Sequence, residues 1–237
     1  MPTPTYETCC IKNVNITHDV YEIEFEKPEG FTFEAGQFVL FQVPLPENPV
    51  DTQPRAYSIA SAPHEAKLLF VIKVMAGGRA SRWVAESLKE GDTVHMQGPF
   101  GRFFLQDSPE DILMVCTGTG IAPFRSHLLT MMETASIRNT HLFFGNYKEE
   151  DIFWKEYLEK MDAQNDWFTF VPVLSNGSQN WHGQCGFVQD AIAATIDGIS
   201  STHLYICGNP AMAEAVKKTA MEEWGMKKEK VHVEGFI

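Results

Sequence analysis

Three short clusters combine residue types that suit a large phosphate-bearing ligand. The first is Gly118-Thr119-Gly120, set between an apolar run, Ile112 to Cys116, and Pro123. The glycines permit a tight turn and a close approach of a ligand to the backbone. Pro123 suits the first turn of a helix, where its missing N–H costs nothing. A strand, a glycine turn and a helix start leave unpaired N–H groups and the positive end of a helix dipole facing outward, which is a seat for a phosphate. Pro123 stands where a G-x-G-x-x-G motif has its third glycine, and no Lys-Ser/Thr follows, so the cluster equally suits an ordinary strand–turn–helix. The second cluster is Arg55-Ala56-Tyr57-Ser58-Ile59-Ala60-Ser61. It offers a cation for a phosphate, a ring for stacking and a hydroxyl for a ring edge, and it also fits a plain barrel strand with a surface arginine. The third, Gly77-Gly78-Arg79-Ala80-Ser81, is another glycine turn entering a helix, with the N–H geometry of the first or of a simple cap.

The elements around these clusters fall into two patterns. In the first hundred residues, Tyr21 to Glu26 alternates polar and apolar, as a half-buried strand does. Phe38 to Val43, Leu68 to Val74 and Thr93 to Met96 read as further strands, and Ala80 to Leu88 as a helix with Trp83, Val84 and Leu88 on its apolar face. Turn signals lie at Pro28 to Gly30, Pro44 through Pro54, Gly77-Gly78 and Glu90 to Asp92. Short strands so spaced predict an antiparallel barrel or sandwich. Asp107 to Asp111 is polar and contains Pro109, which makes it the linker. Beyond it, strands at Ile112–Cys116, His141–Phe144, Trp167–Val173, His203–Cys207 and Val231–Val233 alternate with helices near Pro123–Thr134, Ile152–Met161, Gly186–Thr195 and Pro210–Trp224. Such alternation predicts a doubly wound parallel sheet with ligands at the carboxyl ends of its strands, where Gly118 and Cys207-Gly208-Asn209-Pro210 both lie. Ser175 to Gln184 reads as an exposed polar loop. The expected domains are 1–107 and 108–237.

Composition narrows the functions. The chain has 237 residues, 44% of them hydrophobic, enough for one large or two small cores. A formal net charge of −12 argues against non-specific binding to nucleic acid or anionic membranes. The start, Met1 to Cys10, has neither the charged nor the apolar region of a secretory signal, and no apolar run approaches membrane-spanning length. The five cysteines, Cys9, Cys10, Cys116, Cys185 and Cys207, form no C-x-x-C pair, and the eight histidines form no H-x-x-x-H pair. No iron–sulfur cluster or protein-bound metal is expected, and a reducing cytoplasm fits. There is no G-x-S-x-G elbow for a nucleophile.

In order along the chain stand R-x-Y-S-x-x-S at Arg55–Ser61, G-x-x-S at Gly78–Ser81, GPFG at Gly98–Gly101, GTGIAP at Gly118–Pro123 and CGNPAM at Cys207–Met212. This set resembles the ferredoxin–NADP reductase superfamily, in its compact bacterial flavin-reductase and oxygenase-reductase branch, over almost the whole chain. The resemblance implies an N-terminal antiparallel Greek-key β-barrel for FAD and a C-terminal α/β doubly wound domain for NADH or NADPH. By it, Arg55 binds the FAD pyrophosphate, Tyr57 lies against the isoalloxazine, and Ser58 bonds near flavin N5. Ile72 and Val74 join the FAD site, and the backbone of Gly78, Arg79, Ala80 and Ser81 caps the phosphates. Thr117, Gly118, Thr119, Gly120 and Pro123 receive the nicotinamide dinucleotide. Cys207 sits by the nicotinamide C4, with Gly208, Pro210 and Met212 beside it, Glu234 facing the same place, and Phe236 covering a flavin face. Ser58, Cys207 and Glu234 are thereby the catalytic candidates. On residue type alone, Cys207 equally suits a buried apolar filler and Glu234 an exposed charge.

Many relatives carry a plant-type [2Fe–2S] domain at one end, and this chain has neither room nor matching cysteines for one. Its electron acceptor is then expected to be another molecule: free flavin, a ferredoxin or flavodoxin, or an oxygenase component. Two alternatives stay open, a reductase of free FMN or riboflavin and a non-catalytic redox-sensing or electron-relay subunit of a larger complex. NADP-specific plant-type relatives carry Ser-Arg after the third strand; here the pair is Ser175-Asn176, which leans towards NADH. Oligomeric state is not legible.

Overall fold

The structure is a computed structural model that describes residues 3–45 and 47–235. The chain divides into two compact units, one of residues 1–105 with 122–134, the other of 106–121 with 135–237.

The first unit is built on six antiparallel strands, β1 (Thr5–Asn15), β2 (Val20–Glu26), β3 (Phe38–Leu45), β4 (Asn48–Ser58), β5 (Lys67–Lys73) and β6 (Thr93–Phe100), in the order β4-β3-β6-β1-β2-β5. The sheet curls, and just past β4 the Ala60 N–H donates to the Leu69 carbonyl of the opposite edge strand. Alternation explains the register. Val39, Phe41 and Val43 of β3 are buried with Ile23 and Phe25 of β2 and Phe70 and Ile72 of β5. Phe41 is the hub, packing on Phe25, Tyr57, Phe70 and Trp83. Helix α1 is short (Arg79–Arg82) and continues as a π-helical turn, Trp83–Ser87, that drives Trp83 and Val84 into this core.

Helix α2 (Ala122–Glu133) groups with this unit. Its Arg125 forks onto both carboxylate oxygens of Glu65, at 2.8 and 3.1 Å, and donates to the Ala60 carbonyl.

β4 differs most from expectation. The stretch Pro44 through Pro54 reads as a loop, yet Pro44 pairs with Thr52 and Gln42 with Pro54. β4 is an edge strand, where a proline leaves no ladder partner unsatisfied. β1 also carries no clear sequence signal, because its buried positions are filled by small residues, Thr8 and Cys10, rather than large apolar ones.

The second unit is a parallel sheet of β7 (Ile112–Thr117), β8 (Thr140–Asn146), β9 (Phe168–Leu174), β10 (Gln184–Cys185), β11 (His203–Gly208) and β12 (Val231–Gly235), in the order β10-β9-β8-β7-β11-β12. Helices α3 (Lys155–Gln164), α4 (Val188–Thr195) and α5 (Pro210–Glu222) connect them. β7 and β11 read as uninterrupted apolar runs because both their faces are covered. The chain winds outward from β7 in one direction through β8 and β9, and in the other through β11 and β12. The switch point therefore lies between β7 and β11. α3 starts three residues later than its periodicity suggests, because Trp154 adopts a left-handed conformation (φ 57°) and Ile152 and Phe153 turn into the core instead.

Candidate functional site

At the switch point two glycine turns are laced together. After β7 the chain makes a 3-10 turn, Gly118–Ile121, with Gly118 at φ 50°. A Cβ on Gly118 would meet nothing within 4 Å, so open space lies over the turn. Gly120 is the opposite case: a Cβ there would collide with the Cys207 carbonyl oxygen, so only glycine lets the turn pack on β11. Gly208, at φ 132°, brings the next turn against Thr117, whose hydroxyl accepts the Asn209 N–H at 2.9 Å. Asn209 in turn caps α5, its Oδ1 accepting from the N–H groups of Ala211 and Met212, with Pro210 in the first turn. Thr117, Gly118, Thr119, Gly120, Gly208 and Pro210 are thus brought together at one end of the sheet, while Met212 packs partly on the apolar core. Pro123 is buried in α2.

Across the same end, Cys116, Cys207 and Glu234 stand in register on β7, β11 and β12. Cys207 is fully buried. Burial, with the Glu234 carboxylate nearby, holds its thiol well above the usual cysteine range, so it stays a neutral S–H at physiological pH. Burial also raises the Glu234 carboxyl, which favours its protonated form.

In the first unit, nine consecutive residues of β4, Asn48 to Ala56, are exposed. The Arg55 guanidinium is bound by two neutral oxygens, the Pro54 carbonyl at 2.8 Å and the Gln53 Oε1 at 2.7 Å. Its charge is unspent among the described residues. Tyr57 rests on Phe41, and burial pushes its phenol up to about 12 despite the opposing pull of Arg55. Ser58 is buried, and among the described residues its hydroxyl makes no hydrogen bond.

Ser81 closes the glycine turn, its hydroxyl accepting the Met75 N–H at 2.7 Å, and Gly78 is the N-cap. Arg79 is engaged elsewhere, bridging Asp51 at 3.1 Å, and Arg82 pairs with Glu47 at 2.6 Å. Both acids lie at the β3–β4 hairpin, which is thereby tied to α1. Ala80 packs on the core and Val74 lies at its rim, its N–H donating to the Asp19 carbonyl. The Ile72 side chain is inside the core, so only its backbone is left for a ligand. Phe236 lies outside the described residues.

These features test the fit of the two groups the motifs imply. An exposed strand with an uncommitted guanidinium, an apolar-backed phenol ring and an unbonded hydroxyl suits a flavin nucleotide. A switch-point turn with open space over Gly118 suits a dinucleotide pyrophosphate.

Residues 8–105 match the family described as oxidoreductase FAD-binding domain, and residues 114–218 the one described as oxidoreductase NAD-binding domain. The chain is 35% identical over 227 residues to ferredoxin–NADP reductase B of Sorangium cellulosum (strain So ce56), covering 92% of this chain and 91% of that one. It is 29% identical over 226 residues to the reductase component DmpP of phenol 2-monooxygenase from Pseudomonas sp. (strain CF600), covering 93% of this chain and spanning only 63% of that protein's length. The crystal structure of the Amycolatopsis cytochrome P450 reductase GcoB superposes with a TM-score of 0.87 at 27% identity, over 99% of this chain and 71% of that one. The chain belongs to the ferredoxin–NADP reductase family and is a flavoprotein oxidoreductase with FAD-binding and NAD-binding parts.

Proposed function

We propose that the protein takes reducing equivalents from NADH into a tightly held FAD and passes them to a separate one-electron acceptor protein, with residues 1–107 as the FAD domain and 108–237 as the nicotinamide domain. The observation that carries this reading is the coexistence of the exposed Arg55/Tyr57 strand with the laced glycine turns at the sheet's switch point. The relatives' names support the acceptor: one is a ferredoxin–NADP reductase, another the reductase component of a phenol monooxygenase. A ferredoxin or an oxygenase component is thus the favoured class, and the cytoplasm is the favoured compartment. Among the described residues no helix is long and apolar enough to cross a membrane.

Bound FAD supplies the ability to accept two electrons as a hydride from nicotinamide and to release them one at a time. The chain's own groups do the rest. Arg55 neutralises the pyrophosphate, Tyr57 gives a ring its apolar bed, and the turn at Arg79–Ser81 offers N–H groups to the phosphates. Ser58 turns a hydroxyl to the flavin edge, free to donate because no oxygen among the described residues claims it. Gly118–Gly120 receives the dinucleotide. Cys207, a fully buried neutral thiol, backs the nicotinamide end from beneath without touching or attacking it, and the Glu234 carboxyl, raised by burial, stands in the same register row. Asn176 in place of an arginine removes a planar clamp for a phosphate on the adenosine ribose.

Reduction of added riboflavin or FMN in steady state separates this reading from a free-flavin reductase. The proposal expects a yellow protein that retains FAD through purification and reduces a one-electron protein acceptor faster than free flavin. A colourless preparation, active only with added flavin, would contradict it.

A further inference from the structure

The order of strands fixes where the two halves of a dinucleotide fall in the second unit. Its pyrophosphate seat is the turn after β7, and the proposed nicotinamide end is on the β11–β12 side, at Cys207 and Glu234. The adenosine half then lies the other way, over the loops that follow β8 and β9, one to two strand spacings or about 5–10 Å from the turn. Those two loops are bonded to each other. The Ser175 and Asn176 N–H groups donate to the Asn146 and Tyr147 carbonyls, at 3.0 and 2.9 Å. Beyond them, the N–H and hydroxyl of Ser178 both donate to the Glu149 Oε1, at 3.2 and 2.6 Å.

A carboxylate is therefore fixed at the place where adenosine-ribose chemistry is decided. In doubly wound nucleotide-binding sheets, an acid there accepts a hydrogen bond from the ribose hydroxyl of NAD, whereas an arginine accommodates the extra phosphate of NADP. Of the nearby cations, Lys148 faces Glu150 at 3.6 Å, and Lys155 faces Glu159 at 3.7 Å while its charge also acts on Glu149; Asp151 accepts the Lys148 N–H at 2.9 Å. No arginine lies between Tyr147 and Phe187.

Resting on the nicotinamide-domain reading above, we propose that Glu149, held in place by Ser178, is the residue that selects NADH over NADPH: it receives the ribose hydroxyl and repels a phosphate on the same oxygen. The Ser178 hydroxyl, followed by Glu149's own backbone N–H, keeps the Glu149 carboxyl below its usual range, so it is anionic at neutral pH. Ser178 is a positioning residue; Glu149 makes the contact.

The test is calorimetric titration of the FAD-loaded full chain with NAD+ and with NADP+, which differ by that one phosphate and transfer no hydride to oxidised flavin. The wild type should bind NAD+ more tightly by about tenfold or more, the scale set by a singly charged group facing a doubly charged one in solvent. Glu149→Gln should narrow the gap by about the same factor, chiefly through tighter NADP+ binding. Ser178→Ala should narrow it less, and the narrowing should vanish in the Glu149→Gln background. Equal or tighter NADP+ binding by the wild type, or a gap unchanged in Glu149→Gln, overturns the assignment even where NADH still reduces the flavin. Failure of the wild type to bind either nucleotide, with no flavin reduction by NADH, overturns the domain reading and the assignment together.

Discussion

Arg55 holds a full positive charge against two neutral oxygens on an exposed strand. Arg79, Arg82 and Arg125 are each paired with a carboxylate, whereas Arg55 meets only neutral oxygens, which leaves its charge open to an anion. Arg55→Gln should weaken FAD binding by about 10- to 100-fold, the worth of a charge-assisted hydrogen-bonded contact. Fluorescence titration of the flavin-free protein with FAD measures this, and an unchanged dissociation constant would remove Arg55 from the site. Ser58 makes a different claim, since a hydroxyl at the flavin edge assists chemistry more than binding. Ser58→Ala should retain FAD and slow its reduction in single-turnover stopped flow by about tenfold. Gly120 is fixed by packing: Gly120→Ala pushes a methyl group into the Cys207 carbonyl and should cost about 1–3 kcal/mol, read as a lower melting temperature together with loss of NAD+ binding. Full stability in that variant would mean the turn packs differently.

At the scale of elements, the motif turns are legible in the sequence because each is local. Gly118-Thr119-Gly120 and Asn209-Pro210 declare a turn and a cap by residue type alone. Their lacing through the Thr117 hydroxyl is not legible, since it joins positions 92 residues apart. The same holds for Glu149, which reads as one acid in an acidic run until Ser178 reaches it from another loop. β4 was hidden by Pro49 and Pro54, which an edge strand tolerates and a central one does not. β10 is only two residues long and lies in a stretch whose polar composition reads as loop. Ion pairing also acts at this scale. Burial would raise the Glu65 carboxyl, but the Arg125 guanidinium and the Ala62 N–H outweigh it, so the group sits below its ordinary value. Its folded value lies under its unfolded one. The pair therefore stabilises the first unit fully above the ordinary carboxylate range, and that contribution is lost as pH falls through the folded value. Thermal melts should show wild type losing more stability than Glu65→Gln on going from neutral pH to below about pH 4. Parallel losses would mean the pair contributes nothing to acid stability.

The molecule as a whole carries two cores and two kinds of ligand seat in one chain. The first core gathers around Phe41 within a curled antiparallel sheet. The second gathers around Leu113, Phe143 and Ile206 in a parallel sheet. The five motifs that identify the family are spread over both units, which is why sequence alone reached the fold and the cofactors. The acceptor is not encoded by any comparable local signature. The chain spans 91% of a ferredoxin–NADP reductase relative but 63% of a phenol monooxygenase reductase component, and the identity of its partner is a question for reconstitution. The central claim is that the chain holds FAD and reduces it with a nicotinamide nucleotide. Its most direct test is the visible spectrum of the purified protein, recorded under anaerobic conditions before and after stoichiometric NADH. The account expects a flavin spectrum that bleaches on mixing and returns when an oxidised ferredoxin-type acceptor is added. A bound flavin that stays oxidised in the presence of both NADH and NADPH would contradict it.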